Sequence, residues 1–176
     1  GDVAMTVNPA RPTLFTVALR VPEWAGEFTA QADGEAFHGA AGQLLRITRV
    51  WKPGSGLKVH MTMTTAVISG GESYPNRVAL QRGPQVLAVE REWNADVRYI
   101  HRAGMLRTGE TLSVRPVQAA VSAWPGKQVY EMEAALFGEA NGNAPVRMLR
   151  LVPFADARDF TVWLYRPGYR PADPPA

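Results

Sequence analysis

Two pairs of carboxylates have the spacing that hydrolytic chemistry uses: Glu90 with Glu92, and Glu131 with Glu133. On an extended strand, residues two apart share a face and lie about 7 Å from one another. Glycoside hydrolysis needs two carboxyl groups roughly 5–10 Å apart, one of them with a raised pKa. Neither pair carries a neighbouring residue that implies burial, so the solvated face of an edge strand is the simpler reading. The histidines His38, His60 and His101 form no HxH or HExxH spacing. His60 falls on the polar face of a strand and reads as a solvated surface residue. No GxSxG nucleophile elbow is present. Ser69-Gly70-Gly71 precedes no helix and reads as a linker, not a phosphate cradle. No cofactor is called for.

Aromatic side chains are the remaining chemistry. Trp24, Trp51, Trp93, Trp124 and Trp163 each fall near a strand end or turn. Such rings stack on the CH faces of sugars, cap a sandwich core, or fill a contact between domains. They are the candidate sugar or interdomain contacts of this chain. Trp24 and Trp51 are expected to pack together.

The chain has 176 residues, 46% of them hydrophobic and 20% charged. That is enough to bury a core without disulfide staples. There is no cysteine, which removes disulfides, thiolate metal sites and a cysteine nucleophile together. The net charge is +3. The arginines are scattered, with no block of like charge, so a nucleic-acid partner is not expected. No apolar run approaches the ~20 residues that span a bilayer, so no membrane partner is expected either. No signal peptide opens the chain, and Gly1-Asp2 reads as the start of a fragment. The compartment is left open.

The elements that must position these residues are strands. Leu57, Val59, Met61 and Met63 alternate with Lys58, His60, Thr62 and Thr64, the period of a half-buried strand. Phe15, Val17, Leu19 and Val21 alternate in the same way up to Pro22, which cannot donate to a ladder. Leu45, Ile47 and Arg49 share one face of a third strand. Asp33-Gly34 predicts a tight hairpin between Phe28–Ala32 and Glu35–Phe37. Pro53-Gly54-Ser55-Gly56 predicts a turn. Ser69 to Asn76 is the strongest loop signal and sets the division into two parts, residues 1–76 and 77–176. Beyond it, strands are expected at Val78–Gln81, Gln85–Glu90, Val97–His101, Thr111–Val114, Val129–Phe137, Val146–Val152 and Phe160–Tyr165. Val129–Phe137 has helix formers, yet its sustained alternation favours strand. Phe160–Tyr165 is apolar on both faces and is expected to be covered on both. The proline-rich tail from Arg166 is expected to be extended or frayed. The pattern is all-β: an antiparallel β-sandwich of jelly-roll type, as two packed sandwiches.

Six segments resemble, in their order along the chain, those of one known family. Arg77-Val78-Ala79-Leu80-Gln81-Arg82-Gly83-Pro84 is similar to a stretch in the β-sandwich region of glycoside hydrolase family 127 (GH127), the β-L-arabinofuranosidase family. Phe15 to Ala25, with Pro22-Glu23-Trp24-Ala25 at its end, resembles another strand of that region. Leu45 to Gly54, with Trp51-Lys52-Pro53-Gly54, resembles its following turn, although Ser55 stands where an acidic residue is common. Leu57–Met63 fits the next strand, with Thr64-Thr65 replacing a proline step. Leu151-Val152-Pro153-Phe154 and Thr161-Val162-Trp163-Leu164 resemble its last elements, with the intervening loop shortened.

The resemblance implies sandwiches that follow an (α/α)6 catalytic barrel, where a zinc-held cysteine is the nucleophile and a glutamate the acid/base. None of those residues can be placed on this chain. The expected role is a non-catalytic accessory region bracing that barrel, its partner on the same polypeptide, and shaping the rim of its active site. Phe160–Tyr165 and Val86–Val89 are the expected contact strands. An exposed apolar patch and homo-oligomer formation through it follow from the same reading. The alternative is a carbohydrate-binding module with a glycan as partner, acting through exposed tryptophans. A third reading, an independent hydrolase, needs a pocket holding a carboxylate pair.

Overall fold

The computed structural model describes residues 1–105, 113–117, 128–137 and 145–166. It is all-β with antiparallel ladders, apart from one short parallel contact, and falls into two compact units, Gly1–Thr64 and Thr65–Ala176. Among the described residues the only helical pieces are three single 3-10 turns. No helix in them is long and apolar enough to cross a membrane.

The first unit is a sandwich of a four-stranded and a two-stranded sheet. Its strands are β1 (Asp2–Val7), β2 (Thr13–Arg20), β3 (Ala25–Ala32), β4 (Glu35–His38), β5 (Leu44–Trp51) and β6 (Ser55–Met63). One sheet runs β1-β6-β3-β4; the other is the ribbon β2-β5. Alternation builds both. In β2, Phe15, Val17 and Leu19 turn inward while Leu14, Thr16 and Ala18 face out. The core between the sheets is Val21, Phe28, Ile47, Trp51, Leu57 and Val59 with the small residues Ala25, Ala30 and Ala32.

The turns behave as their chemistry dictates. Asp33 (φ 48°) and Gly34 (φ 87°) both take positive φ, the pattern of a two-residue hairpin whose twist matches its strands. They join β3 to β4, with Ala32 opposite Glu35. The turn after Trp51 closes through Ser55 N–H donating to the Lys52 carbonyl at 3.0 Å. It is not a hairpin. It carries the chain across the core from the two-stranded to the four-stranded sheet.

Among the described residues the second unit is one sheet of nine strands. They are β7 (Thr65–Ser69), β8 (Arg77–Arg82), β9 (Gln85–Glu90), β10 (Ala103–Gly104), β11 (Arg115–Val117), β12 (Val129–Leu136), β13 (Val146–Pro153), β14 (Phe160–Thr161) and β15 (Leu164–Tyr165). The order β9-β13-β12-β10-β15-β8 closes on itself because β8 also pairs with β9. The inward faces enclose Val78, Leu80, Leu87, Val89, Ile100, Met132, Leu136, Leu149, Leu151 and Leu164. The β8–β9 hairpin turns on Gly83-Pro84, with Arg82 opposite Gln85. Gly83 has φ 54° and Pro84 a fixed negative φ, the φ pattern of a type II′ turn.

Several expectations change. The loop from Ser69 to Asn76 joins two strands that pair with each other, β7 and β8, so the first compact unit ends at Thr64 rather than near Asn76. The segment Val97–His101 is not a strand. Val97 and Ile100 are buried three residues apart, which suits the 3-10 turn Ile100–Arg102 and not alternation. The strand expected at Thr111–Val114 appears at Arg115–Val117; Thr111 and Leu112 lie outside the described residues, as do 167–176 of the tail. Val129–Leu136 is strand, as alternation predicts.

Phe160–Tyr165 is not one strand but two. β14 pairs with β9 at Glu90 and Val89, whereas β15 pairs with β8 at Val78 and Arg77. The β8–β9 hairpin is paired only from Leu80 to Leu87. The segment fills the wedge where its arms part, and Val162-Trp163 is the crossing between them. The other expected contact strand is mostly interior: Leu87, Ala88 and Val89 are buried by the chain itself, and only Val86 is exposed.

Candidate functional site

The two carboxylate pairs meet different fates. Glu90 ends β9 and is 1% exposed. Its Oε2 accepts the Arg158 N–H at 2.8 Å and its Oε1 the Asp159 N–H at 3.1 Å. Glu92 opens the 3-10 turn Glu92–Asn94 and is exposed. The two therefore do not share a face, and Glu90 is not on a solvated one. Beside it, buried Asn94 donates Nδ2–H to the carbonyls of Glu90 (2.6 Å) and Arg150 (2.9 Å) and accepts the Arg150 N–H (2.9 Å). Arg91 pairs with Asp159 at 2.6 Å. This clasp satisfies backbone groups that burial would otherwise leave unpaired. It holds three distant segments together and offers nothing to a substrate.

Glu131 and Glu133 do share the outer face of β12. The ladder places Arg115 and Arg150 on either side of Glu131, with nitrogen–oxygen distances of 3.6 and 3.7 Å. Glu133 is exposed opposite Met148. Both of its oxygens are engaged by guanidinium groups, so Glu131 reads as an ion-pair partner across the sheet.

The histidines do not converge. His38 and His101 are exposed. His60 is exposed too, but it has a partner: its Nδ1 lies 2.7 Å from Asp2 Oδ1, across the β1–β6 ladder. That contact holds the Asp2 carboxyl below its ordinary range. Among the described residues no three His, Asp or Glu side chains are grouped to hold a metal ion.

The tryptophans separate into core and surface. Trp51 is fully buried and donates its indole N–H to the Phe15 carbonyl at 3.1 Å. It is a core residue of the first unit, not a contact for sugar or partner. Trp24 is partly buried against the same core. Trp93 packs on Val129 and Val152, with the Arg150 guanidinium 5.8 Å from its ring. Trp124 lies outside the described residues. Trp163 is half-buried at the crossing between β14 and β15, stacked on Tyr74 with centroids 4.7 Å apart and planes 16° apart.

That stack is the centre of the candidate site. Tyr74 is 49% exposed and outermost. Its loop is held by Gly70 N–H to the Arg77 carbonyl (2.9 Å), Tyr74 N–H to the Gly70 carbonyl (3.1 Å) and Arg166 N–H to the Asn76 carbonyl (2.8 Å). A Cβ at Gly70 would fall 2.4 Å from the Tyr74 carbonyl oxygen, so only glycine lets the loop fold this tightly. Arg77 ties the platform to its surroundings. Its Nη1 donates to the carbonyls of His101 (3.2 Å) and Trp163 (3.4 Å), and its guanidinium lies 5.2 Å from the Tyr165 ring. Tyr99 follows, 5.7 Å from the His101 ring and under the guanidinium groups of Arg98 and Arg102 at 5.0 and 4.6 Å. The arrangement can stack and donate hydrogen bonds; it has no pair of acids with which to hydrolyse. Trp163 was legible as a candidate. Tyr74, Arg77 and His101 were not, because their approach to Trp163 is decided by the sheet order.

Residues 1–63 match the family model described as the GH127 middle domain of β-L-arabinofuranosidase. The match stops one residue short of the compact unit Gly1–Thr64. No curated protein matches the chain by sequence. Among solved structures, a chain described as a glycoside hydrolase superposes with a TM-score of 0.71 at 20% identity, covering 94% of this chain and 30% of that one. A GH127 β-L-arabinofuranosidase from Geobacillus stearothermophilus T6 gives 0.70 at 22% identity, covering 94% and 28%. A GH127 β-arabinofuranosidase gives 0.71 at 20%, covering 94% and 30%. The chain spans less than a third of the length of these neighbours and shares their fold over that span. At 20–22% identity these structures show the fold of the chain, while the family model is matched by its first 63 residues.

Proposed function

From a chain whose first 63 residues carry a GH127 middle domain, we propose that it is the non-catalytic accessory region of a β-L-arabinofuranosidase-like glycoside hydrolase. In this reading it braces an (α/α)6 catalytic barrel and lends loops to the rim of the active site. The observation that carries the reading is the coincidence of the family match with one compact structural unit, within a fold that occupies under a third of glycoside hydrolase chains.

The residue chemistry supports it. The chain has no cysteine to act as a nucleophile. Of its two spaced carboxylate pairs, one is split between interior and surface, and the other contains a glutamate flanked by two arginines. The outward face of the β2–β5 ribbon suits a bracing contact. Leu14 and Val50 are direct cross-strand partners and are 67% and 50% exposed, and exposed paired apolar residues mark contact surfaces.

The test is an assay of the purified chain on nitrophenyl β-L-arabinofuranoside, alone and after adding a GH127 barrel expressed without its sandwiches. The expected result is no turnover by the chain alone, and a stable complex that raises the barrel's melting temperature. Turnover by the chain alone would overturn the reading, as would a barrel whose stability the chain leaves unchanged.

A further inference from the structure

We propose that the Tyr74–Trp163 stack is a glycan-binding platform of the second unit, separate from any catalytic site and specific for neutral sugars with an exposed CH face. The proposal rests on the reading of the chain as part of a glycoside hydrolase for the class of ligand, and on the following geometry for the site.

Two aromatic rings 16° from parallel and 4.7 Å apart form a flat double layer. One face of Tyr74 is taken by Trp163, and its half-exposed ring is presented on the outside. Tyr74 sits on a short loop fixed by four backbone hydrogen bonds and by the close approach at Gly70. Asn76, with φ 58°, turns the chain from that loop into β8. A ring held in place before binding loses little conformational freedom on binding, and a tyrosine supplies a large rigid face at low entropic cost.

The surroundings match a sugar better than an apolar partner. Ser73 and Glu72 are exposed on the loop itself. Arg77 links the backbone carbonyls of His101 and Trp163, so the crossing that carries Trp163 is tied to the segment before β10. A ring stack with a polar border recognises a molecule that is apolar on one face and hydroxylated at its edges. Neutral charge is favoured because the Arg77 guanidinium is already occupied by two carbonyls and the Tyr165 ring, and so is not poised for a carboxylate.

The experiment is calorimetry and tryptophan fluorescence on the intact chain, titrated with neutral arabino-oligosaccharides and with oligogalacturonates as a charged control, which are expected to bind more weakly; equal binding would overturn the preference for neutral sugars. Wild type is expected to bind the arabino-oligosaccharides with a change in tryptophan emission. Tyr74→Ala is expected to weaken binding about tenfold or more, and Tyr74→Phe, which keeps the ring, to stay within about threefold of wild type. Thermal melting of both variants checks that the fold is intact. Trp163→Phe should remove the emission change while most binding persists. Absence of binding by wild type overturns the platform and leaves the accessory role standing, since that role is tested by turnover and by complex formation. Binding that Tyr74→Ala leaves unchanged places the sugar elsewhere and overturns it too. So does a sugar-independent dimer that Tyr74→Ala converts to monomer, which would assign the face to a second copy of the chain.

Discussion

Glu90 shows how a single buried residue is chosen for satisfaction rather than for chemistry. Each of its carboxylate oxygens accepts a backbone N–H, from Arg158 and Asp159. Glu90→Gln keeps the size but replaces one acceptor by a donor, so one buried N–H meets another. We expect a loss of about 1–3 kcal/mol in folding stability, measured by urea unfolding; a change below about 0.5 kcal/mol would mean that the clasp is not a structural tie. The Asp2–His60 pair belongs to the same scale. The hydrogen bond to His60 is the main cause of the lowered Asp2 pKa, with the charge on His60 adding to it. A carboxyl whose folded pKa is depressed stabilises the fold above its ordinary value of 3.8, and that contribution fades as the pH falls below 3.8 through the lowered pKa. The pair is solvent-exposed, so its contribution is small. A carboxyl carbon NMR titration should place Asp2 below 3.8, and His60→Ala should return it there. An unshifted Asp2 in wild type would show that the pair does not persist in solution.

At the scale of elements, closure of the second unit depends on very short strands. β10 supplies only Ala103 and Gly104, yet it joins β12 to β15. Gly104 is required by space: a Cβ there would fall 2.4 Å from both the Tyr165 carbonyl oxygen and the Phe137 ring. Backbone cannot retreat as a side chain can, so Gly104→Ala is expected to force β15 away from β10. The cost should be about 1–3 kcal/mol, read as a drop in the denaturation midpoint and as faster amide exchange at Met105, whose N–H is bonded to the Tyr165 carbonyl. Unchanged exchange at Met105 would mean that the ring of strands does not close through β10. The strands themselves were largely legible. Alternation located β2, β5, β6 and β12, and the Asp-Gly pair located one hairpin. The short strands β10, β14 and β15 were not legible, because two residues carry no period. Their pairing is set by the sheet that receives them.

At the scale of the molecule, the hydrophobic clusters among the described residues divide the chain. One is built entirely from residues before Thr64, and the other two entirely from residues after it. Trp51 is the largest fully buried side chain and belongs to the first. Trp51→Ala should cost about 3–5 kcal/mol and accelerate hydrogen exchange across residues 1–64. Protection of the strands around Leu80, Met132 and Leu151 should be retained; a uniform loss across both units would show that they unfold as one. The outer face of the β2–β5 ribbon offers a second prediction. If Leu14 and Val50 form a contact surface, the isolated chain should self-associate with rising concentration in sedimentation velocity. The double variant Leu14→Lys, Val50→Lys should reduce that association. A wild type that stays monomeric throughout would remove this face from the contact reading.

Sequence alone determined the class of the fold. Period-two alternation can bury a face only in a sheet, and a tight turn such as Asp33-Gly34 needs residues that tolerate positive φ. It also fixed the want of a cysteine nucleophile, which no packing can supply. Tertiary structure alone decided which side chains meet. Local pattern says which face a residue shares with its neighbours two positions away, but not which strand lies beside it. Tyr74 with Trp163, Glu90 with Arg158, and Arg115 with Glu131 and Arg150 are contacts across long stretches of chain, settled by the order of strands in a closed sheet and by the burial of polar groups that had to find partners there.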